Sequence, residues 1–243
     1  MVSRKENVDW AIYAQKYDML MEYNPFYQEL HQEVLRHTEA WDIQPGACIL
    51  DLGAGTGNYS TALARRFPQA QILHVDRDEG MNVVATRKSE KLNLQNLQII
   101  SRSAEEIQFP KEKIQACLCI HSLYTLPAPE KILQNIYHWL VPGGWSLFVD
   151  PGSAVNVLDW QVAIVRRMVK VYGWRKTFQV LREAKIVSQQ NRAIRKKQID
   201  GTYWTHSHEE FLDMLSRVGF EIRQAGRTYR NISDWAMVRK PLS

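Results

Sequence analysis

The richest chemical signal in this 243-residue sequence is a carboxylate followed by glycines at alternate positions, Asp51-Leu52-Gly53-Ala54-Gly55-Thr56-Gly57. The apolar run Cys48 to Leu52 reads as a buried strand that delivers Asp51 to the carboxyl edge of a parallel sheet, and Tyr59 to Phe67 reads as the following helix. Glycine permits φ > 0 and lacks a Cβ, so a nucleoside ligand can lie close to this backbone. The first crossover loop of a doubly wound sheet is where such a ligand binds. A second run, Gln71 to Asp76, ends in a carboxylate nineteen residues after Gly57. At that distance an acid emerges at the end of the neighbouring strand, where it can accept bonds from both ribose hydroxyls. His121 follows a further buried run and is either a general base or a hydrogen-bonded wall residue, and Tyr124 stands close by.

Spacing separates the candidate ligands. A dinucleotide pyrophosphate is held by G-x-G-x-x-G. Here the pattern is D-x-G-x-G-x-G, with Asn58 where the last dinucleotide glycine would fall. This stretch resembles motif I of the class I S-adenosylmethionine (SAM) methyltransferases. The resemblance implies a loop passing under the methionine and ribose of SAM, with Asp51 organising the loop and the methionine amino group. It further implies a cofactor site of Asp51, Gly53, Ala54, Gly55, Gly57, Asp76, Arg77, Ser103, Ala104, Glu105, Cys119 and His121, with Arg77 against the adenine. Ser103-Ala104-Glu105 stands where relatives show Asp-Ala-Glu. The Ser103 hydroxyl, or else the Ala104 backbone, then meets the adenine amine, with about 1 kcal/mol of charge assistance lost. Gln115, where relatives carry Asp, is a second departure. Leu140-Val141-Pro142-Gly143-Gly144, with Pro151 beyond it, matches the family's post-helix motif and has a structural role.

These residues need elements to hold them. Asp9 to Asp42 reads as two helices broken at Asn24-Pro25, with Trp10, Tyr13, Tyr17 and Leu20 on one face of the first and Phe26, Leu30, Val34 and Trp41 along the second. Ala14-Gln15-Lys16-Tyr17-Asp18 resembles the A-x-x-Y-D entry helix of small-molecule methyltransferases, including the ubiquinone and menaquinone biosynthesis enzymes, where it caps the cofactor and its tyrosine closes the site. Met81 to Leu92 reads as a helix, Leu97 to Ser101 and Ile114 onward as strands three and four, Pro129 to Leu140 as a helix and Trp145 to Asp150 as strand five. Ser207 with Glu210 forms a capping box ahead of Phe211, Leu212, Leu215 and Val218, and Gly219 ends that helix. Phe220 to Ala225 and Trp235 to Arg239 read as a closing hairpin. The expected fold is therefore α/β: a doubly wound seven-stranded sheet of the class I SAM-methyltransferase type, last strand antiparallel. It forms one domain, with a helical cap over residues 1–44, a SAM-binding core over 45–152, a helical lid over 153–202 and a C-terminal helix and hairpin over 203–243.

The net charge of +5 is unevenly placed. Residues 151–201 hold eleven Lys/Arg against Asp159, Glu183 and Asp200, a local +8 that leaves −3 for the remainder. Within this segment Leu158 to Tyr172 reads as one helix and Arg175 to Lys197 as a long basic one, and the resemblance makes the segment the lid over the acceptor. A solvated face, attraction of an anionic acceptor or acidic membrane surface, and RNA contact are its three readings. The N-terminus shows no signal peptide, and no run of 18 apolar residues is present; Cys48, Cys117 and Cys119 lie in strands without a C-x-x-C pair. A reduced, cytoplasmic protein is expected. His206 and His208 lack a third ligand at metal-binding spacing, so no metal is expected. The reading that follows is a SAM-dependent methyltransferase, yielding S-adenosylhomocysteine, whose acceptor is a small molecule of anionic or aromatic character. Tyr17, His121 and Tyr124 are the candidate catalytic residues. An RNA-directed enzyme and a SAM-binding protein without methyl transfer are the alternatives; the Asn/Asp-Pro-Pro-aromatic motif of nucleic-acid amino-methyltransferases is missing after strand four.

Overall fold

The computed structural model describes residues 10–154 and 156–242, with side chains at 14, at 16–19 and from 22 onward. The side chains of Trp10, Tyr13 and Leu20, expected on the first helix face, lie outside the described residues.

β1 (Cys48–Leu52) is buried at every position, as a central parallel strand covered on both faces must be. Around it stand β2 (Gln71–Asp76), β3 (Leu97–Ser101), β4 (Ile114–Ile120), β5 (Leu140–Pro151), β6 (Glu221–Thr228) and β7 (Ser233–Arg239). Their order is β3-β2-β1-β4-β5-β7-β6. The first five strands run parallel, and β7 lies antiparallel between β5 and β6. The strand order reverses between β1 and β4, so the crevice at their carboxyl ends is where a doubly wound sheet binds its ligand.

Side chains alternate across the strands and build a core on each face. Leu50, Cys117, Cys119 and Phe148 pack with Ile132, Leu133 and Trp139 of α5 (Pro129–Trp139) and Phe211 and Leu215 of α8 (His208–Val218). Ile49, Leu118, Leu147 and Val149 face the other way, onto Leu30 and Val34 of α2 (Pro25–His37) and Leu63 and Ala64 of α3 (Asn58–Arg66). α1 (Trp10–Tyr23) ends where expected: Asn24 caps α2 by accepting from the Phe26 amide at 3.1 Å, and Pro25 takes the first helical position, where its missing N–H costs nothing. α1 packs on α4 (Glu79–Lys91).

The lid departs from expectation at one point. α6 (Val157–Glu183) bends at Gly173 (φ 76°, ψ 169°), close to the expected break, but the single long basic helix is interrupted at Ala184, and α7 (Lys185–Ile199) starts afresh. Packing explains the turn. Val187 must reach Ala14 and Met81, while Ala193 packs with Tyr124 and Tyr203; a straight helix would carry both away from the domain.

The α8 capping box is complete: Glu210 N donates to Ser207 Oγ at 3.1 Å, and Ser207 N donates to the Glu210 carboxylate at 2.7 Å. Because α8 carries Phe211 and Leu215 into the core, Ser207→Ala should lower unfolding free energy in urea by about 1 kcal/mol, the usual cost of a lost N-cap.

Candidate active site

The glycine loop floors a cleft at the carboxyl ends of β1 and β2. Gly53, Gly55 and Gly57 all have positive φ (69°, 56° and 76°). A Cβ on Gly53 would stand 1.8 Å from Ser122 Oγ, and one on Gly57 would stand 2.9 Å from the Ala85 methyl. A Cβ on Gly55 would meet nothing closer than Met81 Sδ at 3.9 Å, because it would project into the open cleft. The walls are Asp51, Ala54, Asp76, Arg77, Arg102, Ala104, Thr125 and Leu126, with Tyr59 and Tyr17 above. Asp76 accepts from the Gly55 amide at 2.8 Å and the Asp78 amide at 2.9 Å, and burial raises its pKa. The Tyr59 hydroxyl is buried on this wall without a hydrogen-bond partner. Open space over Gly55, two carboxyls and an orphaned hydroxyl fit a nucleoside that carries positive charge, which is the character of SAM.

Beneath the cleft a chain of polar side chains runs from one carboxyl to the strand bearing the other. Asp51 Oδ2 lies 2.5 Å from Ser60 Oγ, Ser60 Oγ lies 2.9 Å from His74 Nδ1, His74 Nε2 lies 3.0 Å from Asn82 Oδ1, and Asn82 Nδ2 donates to the Asp76 carbonyl at 3.0 Å. Burial pushes His74 down to about 4, so its ring is neutral. The Ser60 hydroxyl donates to the Asp51 carboxyl, which favours its ionised form, but burial is the larger influence and pushes the carboxyl up to about 7.

The cap is latched to this floor. Asp18 accepts from Thr56 Oγ1 at 2.8 Å and from Lys88 Nζ at 2.7 Å, and Lys88 also donates to Asn58 Oδ1 at 2.6 Å. α1 is thereby tied to both the glycine loop and α4. The latch places Tyr17 over the cleft, where its hydroxyl meets that of Tyr27 at 2.9 Å and burial pushes its pKa up to about 12.

A second cavity, about 830 Å³, opens on the other side of these tyrosines, between α1, α2, α6 and α7. Tyr17, Tyr27 and His121 line both spaces. His121 takes a left-handed backbone (φ 51°) at the end of β4, donates its amide to the Val149 carbonyl at 2.7 Å and sets Nε2 2.8 Å from Ser233 Oγ. The residue is half-buried, and desolvation pushes its ring down to about 4. Beside it stands Tyr229, from a β6–β7 turn whose three consecutive residues Tyr229, Arg230 and Asn231 all have positive φ, a conformation costly for side chains of this size. Arg230 pairs with Asp159 at 3.0 Å and covers the Trp160 ring at 4.9 Å, clamping the start of the lid to this turn.

Of the residues expected from the sequence, Asp51, Gly53, Ala54, Gly55, Asp76, Arg77, Ala104 and His121 line the cleft, and Gly57 supports it through its contact with Ala85. Ser103, Glu105 and Cys119 do not line it. The Ser103 carbonyl closes a turn with the Glu106 and Ile107 amides, Glu105 is exposed, and Cys119 shares the core-facing side of β4 with Cys117, with no exposed surface. Tyr124 is buried beside Tyr203 and lines the second cavity, not the cleft. Tyr27, Tyr59, Arg102, Gln198 and Tyr229 were missed, because none sits in a motif. His206 and His208 both turn Nδ1 toward Asp234, at 3.5 and 2.7 Å, and among the described residues no group of three or more His, Cys, Asp or Glu could hold a metal ion.

Two measurements test the cleft. Asp76→Ala should weaken SAM binding by roughly 1–3 kcal/mol, the range for losing a charged acceptor; unchanged affinity would remove Asp76 from the ribose site. A cationic ligand favours ionised Asp51, whose carboxyl in the free protein is pushed up to about 7. Binding below that pH must expel a proton, so SAM affinity by calorimetry should fall by up to about tenfold per unit as pH drops from 7, and should plateau above it. Asp51→Asn should flatten this dependence.

Residues 49–144 match the model of a methyltransferase domain. The demethylmenaquinone methyltransferase of Listeria welshimeri is 27% identical over 135 residues, and the match covers 54% of this chain. The chain spans 57% of that relative's length. The carboxy-S-adenosyl-L-methionine synthase of Trichodesmium erythraeum is 29% identical over 199 residues, covering 81% of this chain and 74% of the relative. A SAM-dependent methyltransferase structure from Aquifex aeolicus superposes with a TM-score of 0.63 at 15% identity, covering 96% of this chain and 99% of the other, a likeness of fold. Motif, strand order and matched core agree: the fold is that of the class I SAM-dependent methyltransferases, and residues 49–144 are similar to a methyltransferase domain.

Proposed function

We propose that this protein transfers the methyl group of SAM to a small, largely apolar acceptor held in the cavity under the lid. The observation that carries the reading is the sharing of Tyr17, Tyr27 and His121 between cofactor cleft and acceptor cavity, which leaves these three side chains at the junction where a methyl group would pass. SAM supplies a methyl group already activated on a sulfonium sulfur. The protein's task is then chiefly to align a nucleophile, an effect that reaches about 7–11 kcal/mol in ideal cases.

The cavity's size falls within the range for small-molecule sites. Its walls include Val157, Ile164, Val165, Met168, Val180 and Ile194. Against them stand two orphaned polar groups, the Gln198 side-chain amide and Trp160 Nε1, each on a side chain only 5% exposed. A buried amide without partners costs free energy, so these groups are best explained as hydrogen-bond sites for the acceptor. Arg182, Lys185 and Arg192 also line the cavity and favour an anionic group on it. Tyr17 remains a neutral phenol and His121 a neutral imidazole at pH 7, so neither is a strong base. An acceptor whose nucleophile needs no proton removed beforehand, such as a carboxylate, suits such a site. The Listeria relative is named for a quinone-type acceptor. The Trichodesmium relative is named for a product derived from SAM itself, and its broad match supports a second reading in which no methyl reaches another molecule.

Incubation with methyl-labelled SAM and separate lipid, polar-metabolite and RNA fractions distinguishes these readings. Label in an apolar acid or other lipid-soluble molecule is the expected result. Label in RNA, or label retained on SAM-derived nucleosides alone, would overturn it. With the acceptor in hand, Gln198→Leu should raise its KM by about tenfold or more while leaving SAM affinity intact and the melting temperature no lower, because the orphaned amide is replaced by apolar surface.

A further inference from the structure

The outer face of the lid carries large apolar side chains that the fold leaves uncovered. On α6, Val171, Trp174, Phe178 and Leu181 are 58%, 75%, 66% and 39% exposed. The last three recur at four- and three-residue spacing on the segment after the Gly173 bend, so they form one ridge. The segment follows the bend at Gly173, where nothing lies within 4 Å of an added Cβ. Exposed cations flank it: Arg175 and Arg182 on α6 and Lys185 at the start of α7. The ridge is also continuous with the acceptor cavity, since Leu181, Arg182 and Lys185 line that cavity while remaining exposed.

We propose that this ridge docks the protein on an anionic lipid bilayer, with Trp174 and Phe178 entering the boundary between headgroups and acyl chains and the flanking cations meeting lipid phosphates. Aromatic and aliphatic side chains beside Lys and Arg form the composition that binds such a boundary. The alternatives match the surface less well. A second copy would set one segment of charge +8 against another. RNA would meet the cations but gain nothing from Val171 and Leu181, which cannot stack on bases. Docking through the lid places the mouth of the acceptor cavity against the lipid, so an apolar acceptor could enter without crossing water. The docking itself holds whether or not the bound molecule is methylated.

Flotation with phosphatidylcholine vesicles, with and without phosphatidylglycerol, tests it. The intact protein should float with the anionic vesicles, lose binding as salt rises, and stay behind with neutral ones. The double variant Trp174→Asp, Phe178→Asp should bind at least about tenfold less while keeping SAM affinity, which reports an intact fold. Equal binding to both vesicle types, binding to neither, or undiminished flotation of the double variant would overturn the proposal. A concentration-dependent dimer in sedimentation that the double variant abolishes would overturn it too, in favour of self-association. RNA retention that the double variant loses would do so in favour of nucleic acid.

Discussion

Two carboxyls must sit at the ends of adjacent strands, Asp51 buried and Asp76 half-buried, and much of the architecture around the cleft answers to that constraint. Burial raises the pKa of both, and Asp76 raises that of Asp51 further, so the pair needs polar support. The support is the chain through Ser60, His74 and Asn82, in which every hydrogen-bonding atom of the neutral His74 ring is used. Ser60 comes from α3, His74 from β2 and Asn82 from α4, so one buried network also fixes how two helices and a strand meet beneath the glycine loop. Gly57 belongs to the same constraint, because its missing Cβ lets the start of α3 approach Ala85 of α4.

Above the cleft the constraint is closure. The cap is held by Asp18 and Lys88, and the lid by Arg230 with Asp159 and by the ion pair of Arg167 with Glu29 on α2. Both sets of contacts converge on the aromatic cluster of Tyr17, Tyr27, Tyr229, Trp160 and His121. Unfavourable backbone lies in and beside that cluster: His121 and the run from Tyr229 to Asn231 all have positive φ. Strain at these positions is tolerated because strand pairing on either side fixes the chain, through the Val149 carbonyl for His121 and the β6–β7 ladder for the turn.

The elements legible in the sequence were those set by local rules. Asn24-Pro25, the glycine loop, the Ser207 capping box and the apolar strands each act over a few residues, and the structure has them where their chemistry requires. The break at Ala184 was not legible, since Arg175 to Lys197 contains neither Gly nor Pro and only packing on α1 and Tyr124 bends it. Cys119 was assigned to the cofactor from its place at the end of β4, but period-two alternation from Cys117 sets it on the face packed by α5 and α8. Tyr27, Tyr59 and Tyr229 come from three separate elements and become a site only when the cap, α3 and the closing hairpin meet, which no spacing along the chain records. Gln198 looked like one more polar residue of a basic helix, and its significance lies in what surrounds it.

The titrating groups at the junction of the two cavities have been moved away from neutrality in opposite directions. Tyr17 is pushed up to about 12 and His121 down to about 4, both by burial, while Asp51, pushed up to about 7, stands on the cofactor side. Burial favours the neutral form, and under the proposed function a neutral junction offers no competing anion to the sulfonium and no trapped charge to the acceptor. The carboxyls lie instead on the cleft side, at Asp51 and Asp76, and the cations Arg182, Lys185 and Arg192 lie on the lid, around the second cavity. Under the proposed function, the uncharged aromatic junction between the cleft and the second cavity leaves alignment, more than proton transfer, as the means of catalysis.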